Sequence, residues 1–261
     1  MAQVLLSREL VMLHGIYVGA SSLTALQRMQ DVISKNISSS EVTGFKRTEM
    51  SFEGVLHGAT KFGAKGNGAE ELGGAVPTTV QKLDFTPGEL KWTGVSTDFA
   101  IRSQGFFQLR RPDGTLVYTR GGEFLLNQQN ALVNKDGFEL QSGAGPVELD
   151  PEQGPVSVSS DGMLSQGRDQ LGRLQLFEFP DPGSLTPVGG GCFVPKNGVV
   201  PVQEENPVLD QGAIEGANVS ALKEMVNMIG VSRAYEASMK VVSSHDDLMK
   251  GAIQSLGSPT V

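Results

Sequence analysis

Cysteine is all but missing from this chain. Cys192 is the only one in 261 residues, which excludes an intramolecular disulfide and a thiolate metal cluster. Histidine is nearly as scarce: His14, His57 and His245 lie far apart, without the spacing of a zinc site. No metal and no cofactor is therefore expected. Aromatic residues make up 6% of the chain, with a single Trp, little material for lining a small-molecule pocket. Basic runs are lacking as well. The formal charge is −8, and Lys46-Arg47 and Arg110-Arg111 are too short to form a phosphate-neutralising stripe, so nucleic acid is not an expected partner. No stretch reaches the ~18 apolar residues of a membrane span. Arg8 and Glu9 interrupt the first apolar run before the core of a secretory signal, about 7–15 residues, is complete.

Catalytic patterns are missing too. There is no G-x-S-x-G, no HExxH and no phosphate loop; the glycine-rich stretch Gly63–Gly68 lacks the required spacing. Asp98, Glu123 and Asp161 are the candidates for the paired carboxylates of a glycoside hydrolase, but none is flanked by an aromatic platform. No catalytic residue and no small-molecule substrate is expected.

What the chain has in excess is glycine, 33 residues, well above the usual share of about 7%. Part of it falls in turn signals: Pro87-Gly88, Pro112-Asp113-Gly114, Asp136-Gly137, Asp161-Gly162 and Asn197-Gly198. Between them run short strand candidates: 80–85, 98–102, 106–110, 116–120, 123–126, 132–133, 156–159 and 174–179. Strands at this spacing indicate a compact β domain.

The two ends follow a different period. From Met12, apolar positions alternate at spacings of three and four through Ile16, Gly19, Leu23, Leu26, Gln30, Ile33 and Ile37, a heptad seam. Gly19 and Gln30 interrupt it where a partner can approach closely or register can be set. Ser38-Ser39-Ser40 should end this helix. A second begins after Asn218 or Ser220, both good N-caps. Its expected seam is Ala221, Met225, Met228, Ser232, Tyr235, Met239, Val242, Asp246, Met249, Ile253 and Leu256. A second stripe lies beside it: Leu222, Val226, Ile229, Ala237, Val241 and Leu248. At ~1.5 Å per residue the helices measure about 33 and 55 Å, so an intrachain pair should leave both length and width of the second uncovered.

The expected fold class is α+β, mainly β, with an all-β central domain mounted on a helical stalk formed by the two ends. The expected divisions are an N-terminal extension at 1–11, a stalk helix at 12–45, a Gly-rich connecting arm at 46–79, a β-rich body at 80–210 and a C-terminal stalk helix at 211–261.

Several segments together resemble the flagellar rod and hook family. Asn36 to Lys46, with Thr43-Gly44-Phe45-Lys46, is similar to its Asn-Leu-Ala-Asn…Thr-x-Gly-Phe-Lys segment, departing at Ser38 and Ser39. Gly105-Phe106-Phe107, Pro112-Asp113-Gly114 and Tyr118-Thr119-Arg120-Gly121-Gly122-Glu123-Phe124 resemble its body motifs. Glu215-Gly216-Ala217-Asn218-Val219, Glu224–Ile229 and Arg233-Ala234-Tyr235-Glu236 resemble its C-terminal ones. The family begins close to Met12, so residues 1–11 read as an extension or a misassigned start. The resemblance implies a structural subunit of the basal-body rod, spanning the periplasm and exported without a cleaved signal. Its implied partners are other rod subunits, further copies of itself and the flagellar export apparatus. The expected assembly interface is Ile16, Leu23, Leu26, Ile33, Ile37, Met225, Met228, Ile229, Tyr235, Met239, Val242, Met249 and Ile253, and Asn36, Thr43, Gly44, Phe45 and Lys46 form the family-motif loop. The alternative from another class is a secreted β-rich adhesin on a helical stalk.

Overall fold

A computed structural model describes the backbone of residues 2–56, 75–196 and 198–257, and side chains over 18–51, 80–196, 198–251 and 254. The architecture is mainly β, with one long helix at each end of the chain. The chain separates into two compact units. One comprises residues 1–35, 48–82 and 222–261; the other comprises 36–47 and 83–221.

Helix α1 runs unbroken over Ala2–Ser38, because neither proline nor glycine-rich sequence interrupts it. The expected boundary at Met12 is absent, and residues 2–11 continue the helix. It ends at the serine cluster, where the Ser40 hydroxyl donates to the carbonyl of Ile37 at 2.8 Å and competes with the backbone ladder. Helix α2 spans Ala221–Gly257. Both helices have 37 residues, about 55 Å, which corrects the expected difference in length.

Within their unit the two helices meet in opposite directions. Val242 Cγ2 sits 2.7 Å from the place a Cβ on Gly19 would take, and Gln30 Nε2 donates to Ser232 Oγ at 3.3 Å. As numbers rise along α1 they fall along α2, so the pair is antiparallel. Glu224, Met228, Val231, Tyr235, Ser238, Val242, His245 and Met249 form a buried and half-buried line along α2 in an unbroken 3-4 alternation, with the expected seam residues Ala221 and Ser232 half-buried beside it. This corrects the expected seam: Met225, Met239 and Asp246 lie outside it and are exposed. Asp246 faces solvent and pairs with Lys250 one turn on, at 2.9 Å.

The expected connecting arm is partly β structure. Thr48–Leu56 and Ala75–Leu83 pair as a two-stranded sheet; both carry β-branched residues suited to it. Residues 57–74, where a flexible connection is expected, lie outside the described residues.

The β unit reaches beyond 80–210, taking in the turn after α1 and the segment before α2. Its largest sheet runs Leu185–Gly189, Cys192–Pro195, Leu116–Thr119, Phe106–Arg110, Glu139–Ser142, Leu132–Val133 and Leu125–Leu126. The described pairings in it are antiparallel. Phe107, Leu109, Val117, Phe124, Leu132, Leu140, Leu164 and Leu176 are wholly buried in its main core. Phe106, Tyr118, Phe179 and Phe193 form a second, aromatic cluster with edge-to-face contacts. Of the expected turn signals, Gly114, Gly137, Gly162 and Gly198 have positive φ, whereas Pro87-Gly88 lies in irregular chain without a turn. Cys192 packs in the main core, where burial and the neighbouring Asp136 push its thiol up to about 11.

Candidate functional site: a buried charge node where both chain ends enter the β unit

The motif loop after α1, the turn before the strand Leu90–Trp92, the end of the strand Leu116–Thr119 and the strand Ala213–Glu215 converge on one carboxylate. Lys46 Nζ lies 2.6 Å from Glu215 Oε1 and donates also to the Thr86 carbonyl at 2.8 Å. Arg120 Nε lies 2.7 Å from Glu215 Oε2. The rest of the Arg120 guanidinium donates to the carbonyls of Gly105, Ile101 and Ser103 at 2.8 to 3.1 Å. The Gly88 amide completes the shell of Glu215 at 3.0 Å. Lys46, Arg120 and Glu215 are all buried.

Two cations and one anion are thus held out of water. Desolvation of each ion costs several kcal/mol, roughly, and is offset only when geometry and hydrogen bonding are nearly complete, as they are here. Burial works to raise the carboxyl of Glu215, but Arg120 and Lys46 outweigh it and hold the group below the usual carboxylate range. Burial lowers the Lys46 ammonium, and the pull of Glu215 only partly opposes this.

Asn218 stitches the same place from the other side. Its Oδ1 accepts from the Arg47 amide at 2.6 Å, and its Nδ2 donates to the carbonyls of Asp84 and Thr86 at 2.8 and 3.1 Å. The Glu215 carbonyl accepts from the Gly44 amide at 2.8 Å. Gly44 has φ +69, and a Cβ there would overlap the backbone of Gly121, so the loop needs glycine for both conformation and clearance.

The expected motif loop is therefore brought together with the body: Asn36, Gly44, Phe45 and Lys46 are buried and Thr43 is half-buried. Of the expected interface residues, Ile33 is buried and Leu23, Leu26, Ile37, Met228, Tyr235, Val242 and Met249 are half-buried. Met225, Ile229 and Met239 are exposed. The side chains of Ile16 and Ile253 lie outside the described residues. Arg120, Glu215 and Asn218 were not singled out as a site by sequence; the available signal was that each is a polar residue inside a glycine-rich, family-like motif. Asp98 accepts from the Thr93 hydroxyl at 2.6 Å and Glu123 pairs with Lys135 at 2.8 Å, while Asp161 is bonded to Ser159 and to Arg173.

The described residues thus give a unit built on an antiparallel pair of chain-end helices and a β unit whose buried node holds its first and last segments together, the build of a structural subunit in which no catalytic constellation stands out among the described residues. Comparison with known proteins makes the family explicit. Residues 210–255 match the family model described as flagellar basal body rod FlgEFG protein C-terminal, and residues 100–166 match the flagellar hook protein FlgE/F/G D1 domain. The chain is 31% identical to the flagellar basal-body rod protein FlgF of Caulobacter vibrioides, covering 94% of this chain and 98% of that one. It is 31% identical to FlgG of Borreliella burgdorferi, covering 91% and 97%, and 32% identical to FlgF of Mesorhizobium japonicum, covering 93% and 98%. The chain belongs to the flagellar basal-body rod protein family and is a structural subunit of the rod, located in the flagellar basal body. It assembles with other flagellar components. These matches lend no support to the adhesin alternative.

Proposed function

We propose that the subunit polymerises through its terminal helices into the axial shaft and export tube, with further copies and sister subunits covering the outer face of α2. The observation that carries this is a second apolar face. While one side of α2 packs toward α1, Leu222, Met225, Val226 and Ile229 stand exposed on the opposite side, and Met239, Val241 and Leu248 are exposed further along. Exposed apolar residues clustered along one element mark an interaction surface. A heterologous contact of this kind that does not close into a ring propagates as a filament.

The same reading has the subunit spanning the periplasm, delivered by the flagellar export apparatus without a cleaved signal, and working without catalysis. Ile16-Tyr17, Ile214-Glu215-Gly216 and Met239–Ser244 resemble the proximal member of the family and favour the proximal position in the rod, with the distal or hook-type position as the second reading. The test is assembly of the full chain with Leu222, Val226 and Ile229 changed together to Gln. Loss of assembly with helix content retained is expected; assembly equal to the unchanged protein would refute the helix-face reading.

A further inference from the structure

We infer that Trp92 is a knob that docks into an acidic groove on a second copy of this chain, a contact between β units additional to the helix faces. The inference rests on the reading of the chain as an assembling subunit.

Trp92 is the only tryptophan in the chain, and it is 68% exposed. It ends the strand Leu90–Trp92, paired with Ala213, and the turn that follows is tightly held. The amides of Thr93 and Gly94 donate to the Gly212 carbonyl at 2.8 and 3.0 Å, and the Thr93 hydroxyl donates to Asp98. A large apolar ring presented on a pre-organised turn is costly to leave in water and suited to anchoring an interface, because little ordering remains to be done on docking. Val95 and Lys91, close to Trp92 in the chain, are exposed as well.

A matching recess exists in the same β unit. A groove of about 320 Å³ is lined by Glu41, Thr43, Glu123, Lys135, Asp136 and Gly190, among others. Lys135 pairs with Glu123 at 2.8 Å. Glu41 and Asp136 have no ion partner among the described residues and leave the groove acidic. The groove has room for one indole. Its carboxylates offer an acceptor for the ring N–H, which needs one when buried, and a counter-charge for Lys91. Knob and groove are different surfaces, so the contact is head-to-tail and propagates.

The lone tryptophan makes the test direct. Full-length protein is followed through self-association by sedimentation velocity and by tryptophan emission. The emission should move to shorter wavelength as oligomers form, and Trp92→Ala should weaken self-association about tenfold or more, with circular dichroism confirming the fold. Lys91→Glu, which keeps the probe, should weaken it too, and Asp136→Lys in the same chain should restore it. Assembly with unchanged emission and an unaffected Trp92→Ala variant overturns the docking and leaves the helix-face reading standing. A shift seen only on mixing with a related rod subunit overturns self-docking. Absence of any self-association in the unchanged protein overturns both readings.

Discussion

Lys46 and Glu215 are 169 residues apart in the chain, yet their charged atoms lie 2.6 Å from each other, buried. Lys46 stands two residues before the strand Thr48–Leu56 begins, and Glu215 six residues before α2 begins. The pair therefore joins the chain's entry to the β unit with its exit, and Arg120 fixes both to the sheet.

Removing the shared anion should be far worse than removing the charges together. Glu215→Gln leaves two buried cations without a counter-ion and is expected to cost about 3–5 kcal/mol. A triple replacement, Lys46→Met with Arg120→Met and Glu215→Leu, should cost less than that single change. Urea unfolding of the three proteins gives the ordering.

The pH response of the node has two signs. Glu215 is held below the ordinary glutamate value of 4.5, so its contribution is complete above 4.5 and is lost as pH falls through the folded-state value. Lys46 is lowered from 10.5, so between its folded-state value and 10.5 the unfolded chain binds the extra proton, and across that window this group makes stability rise with pH. Acid unfolding monitored by circular dichroism should be shallower in Glu215→Gln than in the unchanged protein.

Glu204 behaves oppositely. Burial and the nearby Glu178 raise its carboxyl above 4.5, so the group withdraws stability as pH rises from 4.5 through its folded-state value. Glu204→Gln should stabilise the protein at neutral pH and make no difference near pH 3, read as a pH-dependent difference in melting temperature.

Gly19 on α1 leaves no room for a side chain against Val242 of α2. Gly19→Leu would drive a side chain into Val242 and should cost roughly 1–3 kcal/mol by overpacking, although leucine itself favours helix more than glycine does. Thermal unfolding of the full chain followed at a helix-sensitive wavelength measures the balance. Unaltered melting would show that the helices separate here without penalty.

The sequence made the helices legible because seam residues recur at fixed spacing, and it also marked Gly19 and Gln30 as points of contact. The phase of the α2 seam was harder to read. A 3-4 alternation through Met228, Tyr235, Val242 and Met249 can continue on either flank, and the flank that is buried carries Glu224, Ser238 and His245. Polar residues in a seam leave no hydrophobic signal, so the apolar Met225 and Met239 pointed the wrong way. Hairpins were legible through their positive-φ glycines, whereas Cys192–Pro195, Leu209–Gln211 and Ala213–Glu215 are too short to show alternation. The charge node was invisible for another reason: Lys46, Arg120 and Glu215 sit in three distant segments, and no local pattern shows which charges will share an interior.

One thiol serves the whole chain, and it lies in the core with its acidity suppressed to about 11. Thiolate is the reactive form, so almost none is available at neutral pH. Oxidants, electrophiles and disulfide-exchanging enzymes find nothing to act on at this position. A cysteine introduced on the surface would then be the sole site of labelling, with no need to replace the native one.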